Sequence, residues 1–76
     1  MRLSESVDSL QLRQDLVLRV RERTGRRVRD LTIELGTNGV VLHGRSPSYY
    51  VKQLAQQGVW ELLPDVGLRN AIVVGN

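Results

Sequence analysis

A chain of 76 residues, 41% of them hydrophobic and none of them Cys, has room for one domain with a small core. The missing Cys excludes a disulfide framework and a thiolate metal site, and it leaves the redox compartment open. The net charge of +3 hides a polarised distribution. Arg19, Arg21, Arg23, Arg26, Arg27 and Arg29 against Glu22 give 6 − 1 = +5, while the other five basic and seven acidic residues give 5 − 7 = −2. Such a basic stretch attracts phosphates, in lipid head groups or in nucleic acid. The plainer reading is a solvated helix end.

Residues 1–8 read as a polar lead-in with Ser6 or Asp8 available as a helix N-cap. They carry no apolar h-region, so no signal peptide is visible, and no apolar run reaches the ~20 residues of a membrane span. Any membrane contact is expected to be peripheral. A first helix is predicted from Ser9 to Arg23. Leu12, Leu16 and Val20 repeat at intervals of four, Leu10 and Val17 widen the stripe, and Gly25 is a natural stop.

The stretch Leu31–Ser48 reads as strand, tight turn, strand and helix start. Leu31, Ile33 and Leu35 alternate with polar residues, which puts one apolar face on a strand. Asn38-Gly39 is a strong hairpin-turn pair. On the return strand Val40, Leu42 and Gly44 share the core side, and Gly44 suggests close approach of another backbone, expected to be the second helix. Ser46-Pro47 reads as the cap and first turn of that helix. Its buried stripe is Val51, Leu54, Ala55, Gly58 and Leu62, with Gly58 expected to pack tightly on the sheet against Gly44, and Pro64-Asp65 ends it. Leu68, Ile72 and Val74 mark a third strand, with Ala71 and Val73 on its other face. The fold class is α+β in the order α-β-β-α-β, two helices on one face of a three-stranded sheet, with residues 9–76 as a single domain.

This order resembles the BON domain, a bacterial module of osmotically inducible and other envelope proteins. The residues that carry the resemblance are the Asn38-Gly39 turn, Leu42-x-Gly44, a helix with Ala55, Pro64-x-Val66, and Asn70-x-Ile72-x-Val74. They span roughly Leu10 to Val74. Three departures concern spacing and turns. The family usually has one more residue between the turn Gly and Leu42. Asp65 stands where Gly commonly follows the Pro, and the link from Val66 to Asn70 is about one residue short. The resemblance implies attachment to phospholipid surfaces or to envelope proteins, without catalysis. It also implies the periplasm or cell envelope, whereas the absent signal peptide points to the cytoplasm or a peripheral membrane location.

From the residues themselves, no enzyme, cofactor or metal site is expected. One His and no Cys leave no catalytic pair, and no carboxylates sit at helical ligand spacing with His43, which reads as an ordinary strand histidine. Gly39 to Ser46 mimics phosphate-loop spacing, but its intervening residues form strand and Arg45 replaces the Lys, so the motif is rejected. A weaker version survives, in which Arg45 beside the start of the second helix holds one phosphate.

The strongest candidate is the outer face of the second helix. Tyr49, Gln53, Gln56 and Trp60 lie there, a face suited to a lipid interface or a protein partner, unless the helix bends and makes Trp60 a core residue. Arg19, Arg23, Arg26, Arg27 and Arg45 are the candidate contacts to anionic head groups. The leading expectation is a non-enzymatic module binding an anionic phospholipid surface or an envelope protein. The alternatives are a homo-oligomerisation module and a nucleic-acid binder using the Arg19–Arg29 cluster; no aromatics lie among those arginines to stack bases, which argues against the last.

Overall fold

In the computed structural model, which describes the backbone of residues 2–75 and the side chains of residues 9–75, the elements run α1 (Arg2–Thr24), β1 (Arg29–Gly36), β2 (Gly39–Ser46), α2 (Tyr49–Leu62), β3 (Leu68–Asn70) and β4 (Val73–Val74). The class is α+β, in the order α-β-β-α-β. β1 pairs antiparallel to one side of β2, and β3 and β4 pair in parallel along the other. Val40 sits opposite Leu68 and Ser46 opposite Val74, the same offset, so the break at residues 71–72 leaves the register intact. Leu16 and Val20 of α1, Ala55 and Val59 of α2, and Ile33, Val40, Leu42 and Ile72 from the sheet make one buried cluster. The helices therefore cover one face of the sheet, and the other stays open.

α1 begins at Arg2 rather than Ser9, so the expected lead-in is helical and neither Ser6 nor Asp8 caps the helix. No Gly or Pro lies between Arg2 and Thr24 to stop it, and a residue able to cap a helix does not by itself end one. Leu10 is exposed instead of widening the stripe. It lies two residues from Leu12, about 200° around the helix, and thus faces away from the sheet. The stop at Gly25 is as expected. Gly25 (φ 63°) and Arg26 (φ 60°) are both left-handed, Arg26 N donates to Arg21 O at 2.9 Å, and Gly25 N donates to Glu22 O at 3.4 Å. These are the paired bonds of a Schellman ending.

The glycines do different work from that expected of them. The hairpin closes with Gly36 opposite Gly39, so its connecting residues are Thr37-Asn38 and Gly39 already belongs to β2. What fixes Gly39 there is Gly67. A Cβ on Gly39 (φ 140°) would lie 2.9 Å from the Gly67 carbonyl carbon, and Val40 N donates to Gly67 O at 2.9 Å. Gly44 (φ 149°) approaches β1 rather than α2: an added Cβ would come within 2.8 Å of Arg29 O and 2.9 Å of a Val28 methyl. Gly58 lies against α1, where a Cβ would meet Val20 Cα at 3.2 Å, so it sets helix–helix rather than helix–sheet distance.

α2 starts at Tyr49 with Ser48, not Ser46, as its cap; Ser48 Oγ accepts from Val51 N at 3.2 Å. Ser46 ends β2, buried, and its hydroxyl donates to Ser48 O at 2.6 Å. This short side-chain turn shifts the helix start by two residues. Val51, Ala55, Gly58 and Val59 are buried on α2, while Leu54 and Leu62 are half-buried. Of the expected third strand, Ile72 is buried, Leu68 half-buried and Val74 exposed.

Asn70 fastens that edge to α2. Its Nδ2 donates to Lys52 O at 2.9 Å and to Gln56 Oε1 at 3.0 Å, and its Oδ1 accepts from Ile72 N at 3.3 Å. Asn70→Ala loses all three bonds at a half-buried position and should cost about 1–3 kcal/mol, read as a lower urea midpoint at unchanged slope.

Candidate anion-binding site

Four arginines meet at one end of the molecule. The left-handed pair Gly25-Arg26 turns the chain off α1, and Arg27 Nε donates to Thr24 O at 2.8 Å, which anchors the start of the loop. The register of β1 against β2 then slips between Arg29 and Thr32, at a bulge that contains Asp30 in a left-handed conformation (φ 53°). A bulge re-aims the strand around it, and here the result is that Arg29 pairs directly with Arg45. Gly44 makes room for it. Arg26, Arg27, Arg29 and Arg45, with Ser46, Pro47 and Gly75, line a cleft of about 430 Å³. α2 begins two residues past Pro47, with no acidic side chain in its first turn and with Tyr49 and Tyr50 exposed at 62% and 65%. The positive end of the α2 dipole thus lies on the same side of the fold.

No carboxylate among the described residues pairs with any of these four guanidinium groups; the ion pairs there are made by Arg19, Arg23 and His43. Arg19 Nη1 donates to Glu61 Oε1 at 2.9 Å, and Arg23 Nε contacts Glu61 Oε2. Glu61 therefore clamps α2 to α1 and takes up two of the candidate head-group contacts. A larger hollow of about 780 Å³ lies at the hairpin tip, lined by Thr37, Asn38, Gly39 and Gly67 together with Arg13, Glu34 and Arg69. Its charges are mixed, so the arginine cleft is the better anion site.

The structure thus divides the predicted site residues. Arg26, Arg27 and Arg45 come together, with Tyr49 close by in sequence at the start of α2. Arg19 and Arg23 belong to the interhelix clamp. Gln56 is a structural tie through Asn70, and Gln53 is exposed on α2. Trp60 is 40% exposed, not core, and its Nε1 donates to Val66 O at 3.3 Å. It lies eleven residues along α2 from Tyr49, roughly 16 Å at 1.5 Å per residue, so the two rings cannot form one patch. Arg29, expected in the basic cluster but not among the individual head-group contacts, lines the cleft, and Tyr50, which sequence reasoning did not place in the site, lies beside Tyr49 at the start of α2. Tyr50 was legible as the neighbour of Tyr49; Arg29 depended on the bulge.

His43 lies on the open sheet face with its Nε2 at 3.5 Å from Glu34 Oε1, an ion-pair distance without hydrogen-bond geometry. Among the described residues no three His, Cys, Asp or Glu side chains gather as metal ligands, and no helix is long and apolar enough to cross a membrane. No protein-family model, curated protein or solved structure matches the chain.

Proposed function

We propose that this chain is a non-enzymatic binding module that attaches to anionic phospholipid surfaces through its arginine end. One observation carries the reading: four guanidinium groups line one cleft and pair with no carboxylate among the described residues, while Glu61 is spent on Arg19 and Arg23. Juxtamembrane basic residues contribute about 1 kcal/mol each near an anionic leaflet, so four suffice for reversible attachment. Tyr49 and Tyr50 add amphipathic rings suited to the head-group level. The likeness to BON domains points the same way.

The test is co-sedimentation with vesicles of anionic or neutral lipid across a salt series. Binding to the anionic vesicles should fade as salt shortens the screening length. Trp60 emission should barely move, because its indole lies at the far end of α2. A Trp placed at Tyr49, with Trp60→Phe, should shift to the blue. A blue shift of Trp60 itself would move the contact to the Glu61 end of α2. Tighter binding to mixed-sequence nucleic acid at the same salt would overturn the lipid reading.

A further inference from the structure

The arginine cleft differs from a diffuse basic patch in three respects. It is concave and falls in the ~300–1,000 Å³ range of small-molecule sites. Its charges come from separate segments that the backbone forces together: the loop after α1, the start of β1 and the end of β2. Finally, the fold carries unfavourable features there. Arg29 and Arg45 are like charges directly opposite in a strand pair, and Arg26 and Asp30 are non-glycine residues in left-handed conformations. The repulsion between Arg29 and Arg45 is relieved if an anion occupies the cleft.

We infer that the cleft is a discrete site for a terminal phosphate group, a phosphomonoester dianion held by Arg26, Arg27, Arg29 and Arg45; as a lipid site this rests on the membrane reading above. A guanidinium binds an oxyanion best through two parallel N–H···O bonds. A phosphodiester has two non-bridging oxygens, enough for one such fork. A terminal phosphate has three and carries a charge of about −1.5 to −2 at neutral pH, so it matches converging guanidinium groups that a diester leaves partly unpaired. The same group occurs on a lipid head group and on a small soluble phosphomonoester.

The experiment uses vesicles containing phosphatidate or phosphatidylglycerol, adjusted to equal surface potential, with glycerol phosphate as a soluble probe followed by amide NMR shifts. Phosphatidate vesicles should bind at least about tenfold more tightly, since hydrogen bonds to charged groups are each worth that much. Glycerol phosphate should shift the amides of residues 26–29, 45, 46 and 75 and displace the protein from phosphatidate. The Arg29→Gln/Arg45→Gln variant should lose the preference, while Arg13→Gln/Arg69→Gln should keep it. Arg26→Gly should fold at least as stably as the parent yet bind glycerol phosphate more weakly. Equal binding to both vesicles with no amide shifts would overturn the phosphate site and leave the membrane reading standing. Saturable binding of glycerol phosphate without vesicle binding would do the reverse and assign the site to a free phosphomonoester.

Discussion

Gly39→Ala should be the most damaging single-methyl change in this chain, lowering stability by roughly 2–6 kcal/mol. Two costs add. A φ of 140° is foreign to an L side chain, and holding one there costs about 1–3 kcal/mol. The new methyl must also push back backbone atoms of Gly67, the nearest of them within van der Waals distance, and such overpacking costs a further ~1–3 kcal/mol. Relief by moving Gly67 would break the bond from Val40 N to Gly67 O, which leads β2 into its pairing with β3. A domain of this size holds about 4–11 kcal/mol in total, so the variant should lose a large share of its stability. Gly36→Ala is the control. Its Cβ would meet only Gly39 O, at an ordinary 3.7 Å, and should cost no more than ~1 kcal/mol. Urea unfolding of the pair decides the matter: equal midpoints would mean that β2 does not cross Gly67 so closely.

That contact also shows how far the sequence could be read. Asn38-Gly39 announced a hairpin because local turn chemistry is written in adjacent residues. The part each residue plays was set by Gly67, twenty-eight positions away, which no local pattern records. Gly44 and Gly58 were legible as points of close approach, since a glycine in a buried stripe needs a reason to be there. Periodicity gives the face a residue occupies but not the neighbour it meets, and both neighbours were misassigned: β1 for Gly44, α1 for Gly58. The α-β-β-α-β order survived because it depends on strong, local alternations.

The candidate site was harder for the same reason. Arg19 and Arg23 sit one helical turn apart and read as part of a single basic run with Arg26 and Arg27. The run divides in space because α1 ends between them at Gly25, and because Glu61 arrives from the second helix to claim the first two. Arg29 opposite Arg45 requires the bulge at Asp30, whose left-handed backbone is marked in the sequence only by the weak preference of Asp for that conformation. Trp60 looked like a free interfacial ring on a helical wheel. Its hydrogen bond to Val66 exists only because the chain folds back after Leu63.

Replacing Arg26, Arg27, Arg29 and Arg45 one by one with Gln should weaken binding to anionic vesicles by about 1 kcal/mol per step, so that all four together cost about 4 kcal/mol, close to a thousandfold. The steps should be unequal in their effect on the fold. Arg29→Gln removes a like-charge pairing across β1 and β2 and should raise stability by ~0.2–1 kcal/mol while it weakens binding. Arg27→Gln also loses the bond from Nε to Thr24 O, so its urea midpoint should fall. Opposite signs for stability and binding at Arg29 are what a ligand site predicts, because a residue kept for packing loses both together. Arg19→Gln and Arg23→Gln supply the counter-test. Each frees Glu61 from one partner and loosens the clamp between the helices, with stability falling by up to ~1 kcal/mol and vesicle binding nearly unchanged. If Arg13→Gln and Arg69→Gln weaken vesicle binding as much as changes at Arg29 and Arg45, attraction comes from net charge alone. If the losses concentrate in the cleft, geometry is doing the selecting, because six arginines of equal charge would then differ only in where the backbone puts them.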